Sequence, residues 1–286
     1  MGETRNKAES RSVEELSWPE YVDAIKKTGK GIVPVGAFEA HGHHGPLGFD
    51  SFISEAIAER LSEETGALLF PTIPYGCCTN GYDSSMWPGT ISINPRVLTE
   101  FLSELGKELA RQGIRTIVFV NCHIPNSAPL EISAFDIWKT TGAAVGVLEW
   151  WVAAQEEIRA IKGRTYGMHG DEIETSLVLA SRRGNLVKLD RAVSNPDHPM
   201  VSLEEMNLYL SHAKFTRVMD ERWVGTSANH GNPKLAKAEH GQKIISRCAQ
   251  VGKDMFAALE KYVNAERLML WKEKGSKNPS SLSTGS

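Results

Sequence analysis

Five side chains that commonly bind divalent cations lie within one short stretch near the start of the chain. Residues 35–52 read VGAFEAHGHHGPLGFDSF; they contain no Lys or Arg, but they do contain Glu39, His41, His43, His44 and Asp50. Glu39 and His41 are separated by one residue, so in an extended segment both side chains project to the same side. Imidazole and carboxylate donors without thiolates suit catalytic zinc, manganese or iron. The stretch therefore predicts a metal site, and a carboxylate shared between two ions would make it a two-metal centre.

Two further groups of candidate residues occur later in the chain. His123 follows an apolar run in VFVNCHIPN, and HGDEIETS contains His169, Asp171, Glu172 and Glu174. The dipole of a helix favours carboxylates in its first turn, and this is a sufficient explanation for Asp171 and Glu172.

The elements that must position these side chains alternate between short apolar runs and longer amphipathic segments. The pattern predicts strands at residues 32–35, 67–70, 90–93, 116–120 and 143–148. It predicts one helix capped by Ser17, with a capping box to Glu20, and a second helix capped by Asp50. Further helices are predicted at 95–112, 128–140, 171–181 and about 234–270. Such alternation indicates an α/β fold, a three-layer α/β/α sandwich around a mainly parallel sheet.

In an open α/β sheet, ligands bind outside the carboxyl ends of the strands. Glu39 and His41 follow the strand at 32–35, and His123 follows the strand at 116–120. We therefore expect residues far apart in the sequence to meet at one edge of the sheet.

Composition limits the other functions that the chain could have. Its 286 residues are 41% hydrophobic, which is enough for a sizeable core, and we expect one domain at 13–272 between a flexible N-terminus at 1–12 and a disordered tail at 273–286. The basic residues are dispersed and the net charge is −3, which argues against nucleic-acid binding. No apolar run reaches the length of a membrane span, and four irregularly spaced Cys suit reduced thiols in a cytoplasmic protein.

Five motifs in order make the sequence similar to the creatininase family of metal-dependent amidohydrolases. The family signature PvGsxEqHGpHLPlgtD corresponds to residues 34–50 here, and Pro88, Gly89 and Thr90 match a PGT segment. NCHIPN at 121–126 corresponds to NGHGGN, HGDEIETS at 169–176 to HAGeiETS, and GNPKLAKAEHG at 231–241 to a late G-D-P-x-x-A-x-x-x-G segment. WPEYVDAIKK also resembles the N-terminal helix of the family.

The resemblance implies a role for each candidate residue. Two divalent ions, zinc, manganese or iron, would be bound by Glu39, His41, Asp50, His123 and Glu174, with Asp50 bridging. Creatininases proper have a Glu where this chain has Pro125, so Glu174 of the ETS segment is taken as the fifth ligand. His169 would be the catalytic proton shuttle. The resemblance further implies a homo-oligomer, in this family commonly a hexamer.

Other positions near the motifs have supporting or uncertain roles. His44 matches the family and would hydrogen-bond a ligand carboxylate, whereas the family has Pro at His43, which we expect at the surface. Cys78, Trp150 and Tyr166 are the expected substrate contacts, although for Trp150 a plain core position is an equal alternative.

Departures from the pattern leave the substrate open. Ile124 stands where creatininases proper have a Tyr, and Thr165 and Tyr166 stand where they have a Trp-Asp pair, so creatinine itself is not expected. The leading hypothesis is hydrolysis of a C–N bond in a small cyclic amide or formamide by metal-activated water. The alternatives are C–C ring opening of a cyclic polyol diketone and a non-catalytic metal or ligand sensor.

Overall fold

Four parallel strands form a sheet in the part of the chain that the structure describes. A computed structural model describes residues 11–78, 87–162, 169–195 and 227–275. The strands are β1 (Lys30–Val35), β2 (Leu68–Leu69), β3 (Thr116–Asn121) and β4 (Ala144–Glu149), in the order β2-β1-β3-β4. β1 and β3 pair in register from Lys30 with Thr116 to Val35 with Asn121, so their carboxyl ends meet at the same edge.

Eight helices of the described part surround the sheet. They are α1 (Trp18–Thr28), α2 (Phe49–Thr65), α3 (Pro95–Gln112), α4 (Ser127–Thr141), α5 (Trp150–Ala153), α6 (Gln155–Lys162), α7 (Glu172–Ala180) and α8 (Ala238–Gly275). Short 3-10 turns lie at Val13–Glu15, Ile124–Asn126, Gly184–Leu186, Leu189–Arg191 and Pro233–Leu235. None of the helices in this part of the chain has the combination of length and apolar composition that a membrane crossing requires.

Alternate residues of the strands face two separate cores. Ile32, Val118 and Val120 pack in one core with α2, α7 and α8. Val33 and Phe119 point to the opposite side and pack with α3 and α4. This two-residue period is the pattern of a sheet that is covered on both faces. The predicted three-layer α/β/α sandwich is therefore confirmed.

Most predicted elements occur within one or two residues of their expected bounds, but the strand at 90–93 is wrong. Ile91 makes only an isolated antiparallel bridge to Phe38, and its side chain is 43% exposed. The segment lies between Gly89 and Pro95, where Ile91 donates its N–H to the carbonyl of Phe38 and Ile93 donates its N–H to the carbonyl of Gly76. Its backbone is thus satisfied by loops rather than by another strand.

Three helix predictions also need correction. Asp50 is inside α2 rather than at its cap, because the helix already begins at Phe49 after Gly48. The last helix begins at Ala238, since Pro233–Leu235 forms a separate 3-10 turn, and it continues to Gly275, past the predicted domain end at 272. The sequence pattern also missed α5 and α6, which directly follow β4.

Gly36 allows the end of β1 to touch the start of α2. A Cβ atom at this position would lie 2.5 Å from the backbone nitrogen and Cα of Ser51. No side chain fits such a separation, so glycine is required by close approach rather than by an unusual φ. The contact sets the distance between the loop that carries Glu39 and His41 and the helix that carries Asp50.

Candidate metal centre

The structure brings six of the predicted site residues to the carboxyl edge of the sheet. Glu39 and His41 lie in the loop between β1 and α2, and Asp50 is in the first turn of α2. His123 follows β3 by two residues, whereas His169 and Glu174 lie on either side of the start of α7. This is the place where parallel α/β sheets bind ligands.

Asp50 lies between two histidines and directs one oxygen to each. Its Oδ1 is 3.2 Å from Nε2 of His41, and its Oδ2 is 3.1 Å from Nδ1 of His123. Nε2 of His41 is also 3.7 Å from Oε2 of Glu174, and Nδ1 of His123 is 3.4 Å from Oε2 of Glu39. Two adjacent donor groups therefore share a single carboxylate.

Backbone carbonyls orient both histidine rings. Nδ1 of His41 lies 3.1 Å from the carbonyl of Glu39, and Nε2 of His123 lies 3.1 Å from the carbonyl of Cys77. A carbonyl oxygen only accepts hydrogen bonds, so when the rings are neutral Nδ1 of His41 and Nε2 of His123 carry the protons. The other nitrogen of each neutral ring then has the lone pair, and it faces the carboxylates. Such support is typical of histidines that bind metals.

The start of α7 holds Glu174 in place. Asp171 caps this helix, and its Oδ1 accepts hydrogen bonds from the N–H groups of Ile173 and Glu174. The carboxylate of Glu174 accepts a third bond of 2.6 Å from the N–H of Gly170. Both the backbone and the side chain of Glu174 are thus fixed before any ligand binds.

The buried carboxylates strongly perturb the histidines around them. Burial alone would lower the pKa of His41, but the charges of Asp50, Glu174 and Glu39 raise that pKa to about 10. His123 is raised well above its usual pKa in the same way, against the effect of its burial. Burial also raises the pKa of Glu174, to about 7. The cluster therefore strongly favours positive charge in its centre.

His169 is packed against the ring of His41, and the ring centroids are 4.4 Å apart. Its Nε2 is 3.0 Å from the carbonyl of Ala40, and its Nδ1 is 3.9 Å from Oε2 of Glu39. Burial, and then the charges of His41 and His230, lower the pKa of His169 well below its usual value. The ring is thus neutral, with a proton on Nε2 and a lone pair on the nitrogen that faces Glu39.

A cavity opens above these residues, and those of its walls that the structure describes include no Lys or Arg. Its lining is Glu39, His41, Asp50, Cys122, His123, Ile124, Pro125, Trp150, Trp151, His169 and Glu174. Trp150 is only 1% exposed and belongs to a hydrophobic core, yet it also reaches this wall. Both interpretations of Trp150 from the sequence thus have a structural basis.

Other predicted residues have more varied positions. His44 is buried, but its Nε2 pairs with the hydroxyl of Thr175 at 2.9 Å, so the expected carboxylate partner is wrong. His43 is exposed. Cys78 is 4% exposed and is not among the residues that line the cavity. Tyr166 lies outside the described residues.

The sequence interpretation did not identify two groups that hold the site together. Asn126 accepts from the N–H of Cys77 and donates to the carbonyl of Gly36, and it thereby joins the ends of β1 and β3. His230 donates its N–H to the carbonyl of His169 at 2.7 Å. Asn126 is part of the NCHIPN motif and could have been noticed there, whereas His230 lies just outside the matched segment 231–241.

Known proteins similar to this chain include creatininases and a related hydrolase. The family model for creatininase, described as creatinine amidohydrolase, matches residues 14–252. The chain is 30% identical to the creatinine amidohydrolase of Pseudomonas putida over 254 residues, which are 83% of this chain and 93% of the relative. It is also 28% identical over 163 residues to the 3-dehydro-scyllo-inosose hydrolase of Thermotoga maritima, 55% of this chain and 52% of that protein.

Solved structures are similar over almost the whole fold. A mutant creatininase of Zn–Zn type has a TM-score of 0.72 and 27% identity, with coverage of 87% of this chain and 97% of that chain. A manganese creatininase has a TM-score of 0.71 and 28% identity, with coverage of 86% and 97%. Because the family model spans most of the sequence and these folds superpose almost end to end, the chain belongs to the creatininase family.

Proposed function

We propose that this protein is a binuclear metal-dependent hydrolase that directs an activated water at a small cyclic polar substrate, with cleavage of a C–N bond in a cyclic amide or formamide. The observation that carries the proposal is the position of Asp50, whose two oxygens lie 3.2 Å and 3.1 Å from the nitrogens of two different histidines. If two divalent ions were bound, Asp50 would be the carboxylate shared between them.

The donor set fits two divalent cations. Glu39, Asp50 and Glu174 are at least nine-tenths buried, and no basic side chain lines the described part of the cavity. Buried carboxylates at such short separations need compensating positive charge. His41, Asp50 and Glu174 would hold one ion, and Glu39, Asp50 and His123 the other. The oxygen and nitrogen donors suit zinc or manganese, the metals of the two similar solved structures, and also iron.

When bound, such ions lower the pKa of a water molecule to about 7 and polarise the carbonyl under attack. His169 supplies the proton transfer. In the neutral ring, Nδ1 carries the lone pair and lies on the side of Glu39. This nitrogen would accept a proton from the attacking water and return it to the leaving group. Its other nitrogen stays fixed on the carbonyl of Ala40, which prevents the ring from turning.

The walls of the cavity favour a small, flat and partly apolar substrate. Trp150 and Trp151 pack edge to face at 6.1 Å, and Ile124 and Pro125 belong to the same lining. The Nε1 atom of Trp150 is buried and has no hydrogen-bond partner among the described residues. Ile124 and Pro125 replace a Tyr and a Glu of creatininases proper, which is why we propose a substrate other than creatinine.

A second candidate is C–C ring opening of a cyclic polyol diketone. The similarity to the Thermotoga maritima hydrolase, which is named for an inosose, favours this candidate. The same residues would serve both reactions, because each begins with addition of water to a carbonyl and ends with protonation of a leaving group.

The proposal also includes a homo-oligomer in the cytoplasm. The packed helices α3 and α4 expose Val97, Phe101, Ile132 and Phe135 to solvent, each by more than half. Apolar residues in such numbers on neighbouring helices support a protein interface. All four Cys are free thiols, which supports a reducing compartment.

The decisive experiment is a substrate panel assayed on protein loaded with zinc or manganese, after its metal content has been measured. The panel contains creatinine, formamidopyrimidines and diketo-inositols. We expect release of an amine or formate from a C–N substrate. Ring opening without such release would favour the C–C reaction, and two tightly bound ions with no turnover of any compound would support the non-catalytic sensor.

A further inference from the structure

Cys78 adds a sulfur to the group formed by Glu39 and His123. Its Sγ atom, a carboxylate oxygen of Glu39 and a ring nitrogen of His123 all lie within 4.8 Å of one another. All three side chains are buried. A thiol, a carboxylate and an imidazole at these separations are three donors of the kinds that bind transition metals.

The backbone holds Cys78 in this position. Its N–H donates to Oγ of Ser92 at 2.9 Å, and the same hydroxyl donates to the carbonyl of Cys78 at 3.0 Å. The carbonyl of the preceding residue, Cys77, accepts from Nε2 of His123 at 3.1 Å. One dipeptide thus both orients the histidine and brings a sulfur beside it.

A second observation points to a cation at this place. Oδ2 of Asp50 is buried and accepts no well-aligned hydrogen bond from the described residues, although Nδ1 of His123 is only 3.1 Å away. Buried carboxylate oxygens normally have a donor. A buried carboxylate oxygen with only the ring nitrogen of His123 beside it, and no aligned donor, is a group that a cation would satisfy in place of the proton.

We propose that Cys78 is a direct ligand of the ion held by Glu39, Asp50 and His123, and that its sulfur makes this half of the centre prefer zinc to manganese. The inference rests on the proposed metal centre and names a ligand in it that the family pattern does not supply. On binding, the S–H bond breaks and a sulfur–metal bond forms, and the proton leaves to solvent. Thiolate sulfur is a soft donor that binds zinc and is poorly matched to manganese.

The alternative role for Cys78 is a substrate contact. Because Cys78 is 4% exposed and does not line the described cavity, its sulfur faces the donor group more directly than the space for a substrate. The two roles predict different spectra in the absence of any substrate.

The test uses cobalt as a spectroscopic substitute for zinc in the full-length protein. The wild type, Cys78→Ser and Cys77→Ser are compared after cobalt loading, and Cys77→Ser is the matched control because that sulfur instead contacts the carbonyl of Pro125 at 2.9 Å. We expect a sulfur-to-cobalt charge-transfer band in the wild type and in Cys77→Ser. Cys78→Ser should lose this band and keep the visible ligand-field bands.

Zinc affinity measured by competition with a chelator gives a second readout. Loss of a residue that merely supports a ligand already costs about 10–100-fold in affinity. We therefore expect Cys78→Ser to weaken zinc at one site by about 100-fold or more, with a much smaller effect on manganese. Cys77→Ser should stay within a few-fold of the wild type.

The outcomes separate this inference from the proposed function. Cobalt that binds the wild type with ligand-field bands but no charge-transfer band overturns the Cys78 ligand and leaves the metal centre standing. A wild type that binds no cobalt or zinc overturns both. If Cys78→Ser does not fold, cadmium NMR of the wild type decides, because a cadmium signal without the strong shift caused by sulfur contradicts the inference.

Discussion

The buried carboxylates of this site raise the pKa of the histidines beside them and so keep protons on the histidine rings. Without a cation, the carboxylates of Asp50, Glu39 and Glu174 keep the pKa of His41 at about 10, so the ring carries a proton at neutral pH. A histidine must be neutral to bind a metal, and the metal therefore has to displace that proton. Under the proposed assignment, metal affinity would therefore depend on pH at this residue.

We expect zinc binding to release protons and to weaken as the pH falls. Each displaced proton lowers the apparent affinity about tenfold per pH unit below the raised pKa. Calorimetry in buffers of different ionisation enthalpy measures the number released. His41→Gln should release fewer protons than the wild type, and a wild-type binding enthalpy that is independent of the buffer would contradict this prediction.

The proposed role of His169 as proton shuttle affects turnover but not metal binding. We expect His169→Ala to retain both ions while kcat falls by about 10²–10⁴-fold, the usual contribution of a general acid–base residue. Metal analysis and steady-state kinetics check this on the substrate found in the panel. The exposed His43 provides the control, because His43→Ala should leave kcat unchanged. Near-normal turnover of His169→Ala with its metals bound would refute the assignment.

The sequence was informative about this centre only where a motif supplied the context. Glu39, His41, Asp50, His123, His169 and Glu174 are recognised by spacing and resemblance, and the structure places them together. Cys78 and His230 were not recognised as neighbours of the donor groups, because their positions depend on how loops pack around the histidines. The partner of His44 was wrong for the same reason.

At the level of elements, an ion pair ties α6 to the start of α7. The ammonium of Lys162 contacts the carboxylate of Asp171 and lies 3.6 Å from Oε1 of Glu172, and the side chains of Lys162 and Asp171 are at most 2% exposed. Asp171 in turn caps α7 and fixes the backbone of Glu174. The pair therefore links the helix after β4 to a predicted metal ligand.

We expect Lys162→Met to destabilise the protein by about 3–5 kcal/mol, because it leaves a buried carboxylate without its partner. Urea unfolding measures this change. Arg60→Met, which removes an exposed ion pair with Glu64, is the control and should cost no more than about 1 kcal/mol. Equal effects of the two substitutions would show that the buried pair has no special role.

The elements themselves were largely visible in the sequence. Long amphipathic helices and the apolar strands of the core were predicted because their periodicity follows directly from burial on one side or on both. The segment 90–93 has the composition of a strand but bonds to the loop residues Phe38 and Gly76, and α5 and α6 follow β4 without the turn residues that usually separate elements. Such features depend on tertiary contacts rather than on local pattern.

For the whole molecule, the exposed apolar residues of α3 and α4 have the largest consequence. Phe135 is 63% exposed and also borders an apolar groove between α4 and α8, and Phe101 on α3 is 51% exposed. A second copy of the chain would remove this surface from water, at about 25 cal/mol per Å².

We expect the double variant Phe101→Glu, Phe135→Glu to have a smaller mass than the wild type in light scattering, because buried charges oppose association. Trp18→Glu on α1, whose side chain is 79% exposed, should leave the mass unchanged. A monomeric wild type, or a double variant of the same mass, would exclude this surface as the interface.

The positions of the ligands along the chain also bear on how the protein is made. Under the proposed assignment, a nascent chain that has emerged through α2 presents Glu39, His41 and Asp50, but β3 and α7 must still be synthesised before His123 and Glu174 exist. An incomplete donor set binds cations weakly, so tight metal uptake waits until most of the sheet has been translated and folded. The last proposed ligand is therefore synthesised late, and the metal ion would be selected by a chain that is already largely folded.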